Sequence, residues 1–196
     1  GVKRSPSLTV VAPFFNEVDV LPSFCQELRF TLDAMGVTYE VVLVDDGSTD
    51  GSFAAVLDHP WPQLTVIRLS ANVGHQAALE AGFHVAQGDL IVTMDADLQH
   101  PPDVIPQLVS TALDLGVDVV YAVRCDRSED NWFKRSTARW YYGIIRALTG
   151  VPIIDHAADF RLVTRFVVDI IKSIPEKKVF RLLVPSLGFT SATVSY

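Results

Sequence analysis

The sequence has 196 residues and a net charge of −7, a length that fits one domain with its own hydrophobic core. The negative charge excludes nucleic acid as the main partner. Hydrophobic residues make up 49% of the chain and the mean hydropathy is +0.27. Even so, no apolar run approaches the ~18–20 residues of a membrane span, so the chain as given is not expected to cross a bilayer.

Residues 1–7 are polar and are expected to form a flexible lead rather than a signal peptide. Cys25 and Cys125 fit no disulfide or metal-ligand pattern, which favours a reducing, cytosolic compartment.

Five apolar runs rich in Val and Ile recur before residue 124. They are continuous rather than alternating, as in strands covered on both faces of a parallel sheet. The predicted strands are Leu8–Phe14, Tyr39–Val44, Leu64–Leu69, Leu90–Met94 and Val117–Val123. Helix-start signals lie between them, at Asp50 before Gly51–Leu57 and at Pro101-Pro102 before Asp103–Leu115. The alternation predicts an α/β doubly wound fold.

The pattern changes after Arg124. Asn131–Leu148 predicts an amphipathic helix, and no acidic residue occurs from Asn131 to Ile154, where basic and aromatic residues are interleaved. This stretch predicts contact with something anionic and partly apolar; the alternative is that its aromatic residues complete the core. Ser191–Tyr196 predicts a final strand.

A polar segment, Asp95–Gln99, directly follows the fourth strand. If the backbone stays extended there, side chains two apart share a face, so Asp95, Asp97 and Gln99 direct three oxygen ligands to one point. Such ligands suit Mg²⁺ or Mn²⁺, ions that usually hold substrate phosphates. The alternative is a turn before a helix that begins at Pro101-Pro102. The preceding strand and the position of Gln99 favour the metal site.

Polar residues also follow the first two strands, at Asn16-Glu17 and Asp45-Asp46. In open α/β sheets ligands bind beyond the carboxyl ends of the strands, which is where these residues fall. For Asp45 and Asp46, ligand binding and turn or helix-cap chemistry have equal weight. Asp50 is expected to be only a cap.

Small residues recur at helical spacing in Asn72-x-Gly74-x-x-x-Ala78-x-x-x-Gly82. For Ala78 and Gly82 the spacing predicts a helix packed closely on the sheet, whereas Asn72 and Gly74 are expected to border a ligand. Neither glycine-rich phosphate-loop motif occurs. His75 and His84 have no partner at ligand spacing and are expected to be ordinary surface or packing residues.

The ordered motifs resemble those of the family 2 inverting glycosyltransferases of the GT-A fold. Within that family the chain is most similar to the polyprenyl-phosphate glycosyltransferases, which include dolichol-phosphate mannose synthase. The matching motifs are Pro13–Glu17, Val44–Ser48, Asn72-x-Gly74, Gly88-Asp89, Asp95–Pro102, Arg124, Asn131–Arg135 and Asp159–Arg161.

The similarity spans Leu8 to Tyr196 and implies a Rossmann-like, mostly parallel sheet flanked by helices. It implies a single catalytic domain, 1–196, expected to lack the C-terminal acceptor loop and the transmembrane helices of many members.

The resemblance also implies a role for individual residues. The implied nucleotide-binding residues are Pro13, Phe15, Glu17, Val44, Asp46 and Asp95. Asp95, Asp97 and Gln99 would bind the Mg²⁺ or Mn²⁺ that bridges the donor diphosphate. Arg124 and Arg135 would receive the acceptor phosphate, and Asp159 would be the carboxylate nearest the acceptor, with Asp155 a weaker candidate. The alternatives are a solvated helix face for Arg135, and a helix cap or an ion pair with Arg161 for Asp159.

The implied reaction is metal-dependent, inverting transfer of a sugar from a UDP- or GDP-sugar to a dolichyl or undecaprenyl phosphate. It would take place at the cytoplasmic face of the cell membrane, against which the basic aromatic helix would rest. Three alternatives stay open: a family 2 transferase with a saccharide hydroxyl acceptor, a nucleotidyltransferase, and a non-catalytic nucleotide-sugar-binding module. The sugar, the nucleotide and the oligomeric state are not specified by the sequence.

Overall fold

The computed structural model describes residues 6–58, 60–125, 159–174 and 180–196. Arg135, Asp155 and the predicted helix Asn131–Leu148 lie outside these residues, so their assigned roles stay predictions. Within the described ranges, no helix combines the length and the apolar character needed to cross a membrane.

The described residues form a seven-stranded sheet with helices on both faces. The strands are β1 Leu8–Phe14, β2 Tyr39–Asp45, β3 Leu64–Arg68, β4 Leu90–Thr93, β5 Val119–Val123, β6 Arg161–Thr164 and β7 Ser191–Ser195. The helices are α1 Leu21–Met35, α2 Ser52–Leu57, α3 His75–Val85, α4 Ile105–Leu115, α5 Arg165–Ser173 and α6 Phe180–Ser186, and a 3₁₀ turn, Pro102–Val104, precedes α4. The predicted strands, including the final one, are confirmed.

The order of the strands across the sheet is β3-β2-β1-β4-β6-β5-β7. β6 runs antiparallel to both of its neighbours, β4 and β5, whereas the other paired strands are parallel. The mostly parallel α/β fold expected from the sequence is confirmed. β6 was not predicted, because its four residues continue without a break into the apolar sequence of α5.

The core has two layers, one on each face of the sheet. Every residue of β1 is buried, and alternate residues point to opposite faces, so Val10 packs in the layer beneath α1 and α4 while Val11 packs in the layer beneath α3 and α5. Helix α1 buries an apolar stripe at helical spacing and ends at Gly36, whose left-handed φ of 63° closes the last turn. The two buried layers explain the continuous apolar strands in the sequence.

Helix α3 lies unusually close to the sheet at Gly82. A Cβ atom on this residue would lie 2.3 Å from Cγ1 of Val11, which is fully buried in β1. A contact of that length requires the helix or the strand to move, and the β-branched Val11 has little rotamer freedom with which to yield. The close helix packing predicted from the small residues is confirmed.

Replacing Gly82 with alanine should therefore destabilise the fold even though alanine is the better helix former. We expect Gly82→Ala to lower the free energy of unfolding by about 1–3 kcal/mol, the usual cost of overpacking, measured by urea denaturation. The double variant Val11→Ala/Gly82→Ala should lose much less than the sum of the two single variants, because the opposing methyl group is gone. Additive losses would show that the contact is not the cause.

Candidate active site

The polar residues that follow the strands meet at one edge of the sheet. In the parallel part of the sheet the carboxyl ends of β1, β2 and β4 all lie at this edge, with Phe14 paired with Asp45. Because β6 runs in the opposite direction, its amino end lies there too, and Arg161 is paired with Thr93 of β4. Asp159, two residues before Arg161, accepts a hydrogen bond at its carbonyl from Oγ1 of Thr93, at 2.7 Å.

A cavity of about 300 Å³ opens at this edge of the sheet. Its lining residues are Pro13, Phe14, Phe15, Glu17, Asp46, Asn72, Gly74, His75, Asp95, Ala96 and Asp97. Six of the predicted site residues are therefore brought together: Pro13, Phe15, Glu17, Asp46, Asp95 and Asp97. The side chain of Val44 is fully buried in the core layer beneath α3 and does not line the cavity.

Asp45 and Asp50 serve the turn between β2 and α2. The fully buried Asp45 accepts the backbone N–H of Ser48 at 2.8 Å, and its Oδ2 lies 3.4 Å from Nε of Arg68, an ion pair without hydrogen-bond geometry. Asp50 accepts the backbone N–H of Ser52, the first residue of α2. The sequence left two roles open for Asp45, ligand binding and turn chemistry, and its contacts are those of a turn residue.

Asp46, by contrast, connects the strand edge to the loop before α3. Its two carboxylate oxygens accept the backbone N–H groups of Val73 and Gly74, at 2.8 and 3.0 Å. The approach of this loop depends on Gly47, because a Cβ atom there would lie 2.5 Å from the backbone carbonyl carbon of Ala71. Asp46 therefore fixes one wall of the cavity while it is itself part of the lining.

The extended path predicted through Asp95–Gln99 is wrong from Leu98 onward. Leu98 has a left-handed φ of 61°, so the chain turns, and the backbone N–H of Gln99 donates to Oδ1 of Asp97 at 2.9 Å. Asp95 and Asp97 line the cavity, whereas Gln99 is exposed and is not among the lining residues. The alternation of side chains holds for the two aspartates and fails for the third predicted ligand because a turn intervenes.

A buried histidine supports this turn from beneath. Nδ1 of His100 accepts the backbone N–H of Asp95 at 2.9 Å, and its ring stacks on Phe160 with 5.1 Å between the centroids. Burial lowers the pKa of His100, although the carboxylates of Asp95, Asp97 and Asp159 act in the opposite direction. The neutral ring with an unprotonated Nδ1 is the form that can accept this hydrogen bond. The 3.6 Å separation between Nδ1 and Oδ2 of Asp95 is therefore not an ion pair.

His75, expected to be an ordinary surface or packing residue, lies instead at the centre of the site. Its Nε2 is 2.8 Å from Oδ1 of Asp95, and its Nδ1 is 3.6 Å from Oδ2 of Asp159. Burial alone would lower the pKa of His75, but its hydrogen bond with Asp95 and the charges of Asp95 and Asp159 raise the pKa overall. The position directly after Gly74, at the start of α3, was the signal in the sequence that could have identified it.

Asp159 forms the ion pair that the sequence left open as an alternative. Nη2 of Arg161 is 2.9 Å from Oδ1 of Asp159, and the guanidinium lies over the ring of Tyr121 at 5.9 Å. Arg161 is buried, so the pair is sheltered from solvent and fixes the carboxylate next to His75. The ion pair does not remove Asp159 from the site.

The far side of the site is formed by the ends of β5 and β7. Arg124 is exposed directly after β5, and Tyr196 follows β7 with its ring packed edge-on against Phe160, 5.8 Å between centroids. Burial raises the pKa of Tyr196, Arg124 opposes that shift, and the charges of Asp97 and Asp95 add to it. The phenol of Tyr196 therefore lies within electrostatic reach of both sides of the site. The sequence predicts no role for Tyr196 beyond ending the final strand.

Carboxylates outnumber cations around the cavity. Burial raises the pKa of Glu17, and the negative charges of Asp97, Asp50 and Asp95 raise it further. In the part of the chain that the structure describes, no three His, Cys, Asp or Glu side chains are arranged to enclose a metal ion. Asp95 and Asp97 nevertheless offer hard oxygen ligands to a Mg²⁺-like ion, which usually takes one or two carboxylates and completes its coordination with substrate phosphates and water. The residues present fit a divalent cation held in this way.

The profile described as Glycosyl transferase family 2 matches residues 9–171 of the chain. The chain is 37% identical over 198 residues to the uncharacterized glycosyltransferase YkcC of Bacillus subtilis, covering 100% of this chain and 61% of that protein. It is also 37% identical over 194 residues to an undecaprenyl-phosphate 4-deoxy-4-formamido-L-arabinose transferase of Enterobacter, covering 97% of this chain and 58% of that protein. The chain thus spans about six-tenths of the length of these relatives.

Solved structures with the same fold include the mannosyltransferase PcManGT from Pyrobaculum calidifontis in complex with GDP-Man and Mn²⁺. That structure has a TM-score of 0.69 and 23% identity, covering 99% of this chain and 56% of that one. Glucosyl-3-phosphoglycerate synthase from Mycobacterium tuberculosis, in complex with Mn²⁺, UDP and phosphoglyceric acid, has a TM-score of 0.68 and 19% identity, covering 97% of this chain and 69% of that one. The GT-A fold implied by the sequence resemblance is confirmed.

The role of Asp46 can be tested without any substrate. In Asp46→Asn one oxygen can still accept a backbone N–H, but the new amide N–H₂ group faces the second donor, so one charge-assisted hydrogen bond is lost and a donor is left unpaired. We expect the free energy of unfolding to fall by about 1–3 kcal/mol, measured by urea denaturation. The same substitution at the exposed Asp19 should change it by less than about 0.5 kcal/mol. Equal effects at the two positions would contradict the assigned role.

Proposed function

This chain belongs to glycosyl transferase family 2, and we propose that it is a glycosyltransferase that transfers one sugar from a nucleotide-sugar to the phosphate of a polyprenyl phosphate. The observation on which this proposal rests is the meeting of two groups of residues at one sheet edge. Asp46, Asp95 and Asp97 line a cavity at the ends of the parallel strands, and Asp159 with Arg124 lies beside it at the ends of β6 and β5. A relative named as an undecaprenyl-phosphate transferase supports the choice of acceptor.

The donor would occupy the cavity of about 300 Å³. Pro13 and Phe15 offer apolar contact to a nucleobase, and Phe15 is 41% exposed, so a flat ring can stack on it. We assign nucleotide binding to these residues together with Glu17 and Asp46; Val44 can contribute only through its backbone, because its side chain is buried in the core. Solved relatives of the fold contain GDP-Man or UDP, and either nucleotide is a candidate here.

The carboxylates that line the cavity repel a bare diphosphate, and a bound cation would offset this repulsion. We therefore propose that Asp95 and Asp97 hold Mg²⁺ or Mn²⁺, with Gln99 able to take part only if the turn at Leu98 rearranges. When bound, the ion would act as a Lewis acid that offsets the charge developing on the leaving nucleoside diphosphate. The structures of PcManGT and of glucosyl-3-phosphoglycerate synthase, which contain Mn²⁺, support this assignment.

The acceptor in this proposal is a phosphate oxygen. It forms a bond to the anomeric carbon on the face opposite the diphosphate, whose bond to that carbon breaks, so the configuration inverts. A phosphate with a second pKa near 6 is largely dianionic at neutral pH, so no strong general base is needed. Asp159, already paired with Arg161, would position the acceptor rather than remove a proton. Arg124, and Arg135 on the grounds of the sequence resemblance alone, would bind the acceptor phosphate.

The acceptor is embedded in a membrane, so we also propose that the domain works at the cytoplasmic face of the bilayer. The basic and aromatic composition of the segment from Asn131 to Ile154 supports such a contact through anionic lipid headgroups. This assignment rests on the sequence of that segment.

Incubation of the chain with UDP- or GDP-sugars, polyprenyl phosphate and Mn²⁺ should give a lipid-linked sugar and a nucleoside diphosphate. Asp97→Ala should lower the turnover at least ~100-fold, since a ligand to the charge-offsetting ion is lost, while the thermal unfolding midpoint stays close to that of the wild type. Asp103→Ala, at an exposed aspartate in the following turn, is the matched control and should retain turnover. An elongated glycan or released pyrophosphate as product would refute the proposed acceptor.

Arg124 provides a separate test of the acceptor side. We expect Arg124→Ala to raise the KM for polyprenyl phosphate about 10-fold, the loss of one partly solvated charge-assisted contact, with nucleotide binding unchanged. Arg29→Ala, at an exposed arginine on α1, should alter neither. Equal losses of nucleotide and acceptor binding would mean that Arg124 supports the structure of the site rather than the acceptor.

A further inference from the structure

Two carboxylates from different strands face the two ring nitrogens of one histidine. His75 lies at the first position of α3 and lines the cavity. Its Nε2 is 2.8 Å from Oδ1 of Asp95, which follows β4, and its Nδ1 is 3.6 Å from Oδ2 of Asp159, which precedes β6. Within the function proposed above, Asp95 belongs to the donor and Asp159 to the acceptor.

Each of these groups is also held from a second direction. The backbone N–H of Asp95 donates to His100, and Oδ1 of Asp159 binds Arg161. On the side of His75, the preceding Gly74 donates its backbone N–H to Asp46. The imidazole is planar and its backbone is anchored at Gly74, so the ring holds the carboxylate of Asp95 in a fixed direction and has Asp159 on its other side.

We propose that His75 is a positioning residue that orients the metal-binding carboxylate of Asp95 through Nε2, while its Nδ1 lies 3.4 Å from Nε2 of Gln76 and faces Asp159 at 3.6 Å. This inference rests on the proposed function only because that function assigns Asp95 to the donor and Asp159 to the acceptor. The contacts of His75 are independent of that assignment. His75 is not assigned to the reacting atoms, because its Nε2 is bound to Asp95 and its Nδ1 is next to Gln76 and Asp159.

The expected loss of metal binding on removal of His75 follows from the effect of residues that support metal ligands. A group that hydrogen-bonds a metal-binding residue fixes the orientation of that residue, and its removal typically costs 10–100-fold in metal affinity or activity. Because the side chain of His75 is 35% exposed, its removal leaves no large buried void, and a change in binding can be separated from a loss of folding.

Two isosteric substitutions separate the two contacts. The amide nitrogen of glutamine can take the place of Nε2, so His75→Gln retains the hydrogen bond to Asp95; the amide nitrogen of asparagine takes the place of Nδ1, so His75→Asn retains only the side that faces Asp159. His75→Ala removes both. His84, exposed in the last turn of the same helix, provides the matched control as His84→Ala.

The measurement is calorimetric binding of Mn²⁺ with UDP and with GDP, in the absence of any acceptor, together with the thermal unfolding midpoint of each free variant. We expect His75→Ala and His75→Asn to bind the Mn²⁺–nucleotide about 10-fold or more weakly. His75→Gln should stay within about 3-fold of the wild type, and His84→Ala should match the wild type. If His75→Ala fails to fold, the comparison of the glutamine and asparagine variants still decides the question.

Unchanged or tighter binding by the asparagine variant would overturn the proposal, as would a glutamine variant that is as weak as the asparagine variant. Absence of Mn²⁺-dependent nucleotide binding in the wild type would overturn it as well. The readout needs no acceptor, so its result is independent of the acceptor assignment. If the expected binding pattern appears but no lipid-linked sugar is formed, the proposed acceptor is wrong and the positioning role of His75 stands.

Discussion

Repulsion among carboxylates at one edge of the sheet is the constraint on which the site depends. Glu17, Asp46, Asp95 and Asp97 all line one cavity of about 300 Å³. Charges this close are tolerated only when donors or cations offset them. The protein provides backbone N–H groups for Asp46 and Asp97 and an imidazole for Asp95. Burial raises the pKa of Glu17, and the remaining negative charge of Asp97, Asp50 and Asp95 raises it further, so the cavity suits a cation rather than a bare anion.

The reversed strand β6 determines what lies beside this cavity. In a wholly parallel sheet, the residue that precedes a strand lies at the edge opposite the ligand site. Because β6 runs antiparallel between β4 and β5, the segment that leads into it brings Asp159 to the same edge as Asp95 and Asp97. The parallel strands thus provide the carboxylates of the donor cavity, and one change of strand direction adds a half-buried, ion-paired carboxylate next to them.

The sequence was most informative where local pattern and topology agree. Continuous apolar runs specify β1 to β5, and the rule that ligands bind at strand ends brings Asp46, Asp95 and Asp97 together. The sequence was not sufficient where a single backbone angle or a distant partner decides where a side chain lies. The left-handed φ of Leu98 turns Gln99 away from the cavity lining, and His75 owes its place to carboxylates on two other elements. The turn at Leu98 has no signature in short-range spacing, the local signal for His75 is limited to its position after Gly74, and the brief β6 is hidden in the apolar sequence that continues into α5.

Positioning is the main contribution that these residues can make to the proposed reaction. A phosphate acceptor is already ionised at neutral pH, so the barrier depends on the alignment of the attacking oxygen with the bond to the leaving diphosphate rather than on proton removal. Asp95 and Asp159 lie next to the neighbouring strands β4 and β6, so a rotation of either carboxylate changes the placement of the donor relative to the acceptor. A rigid ring between them limits that rotation. The supports of the site, namely His75, His100, Arg161 and the N–H groups that bind Asp46, contribute to the reaction through this alignment.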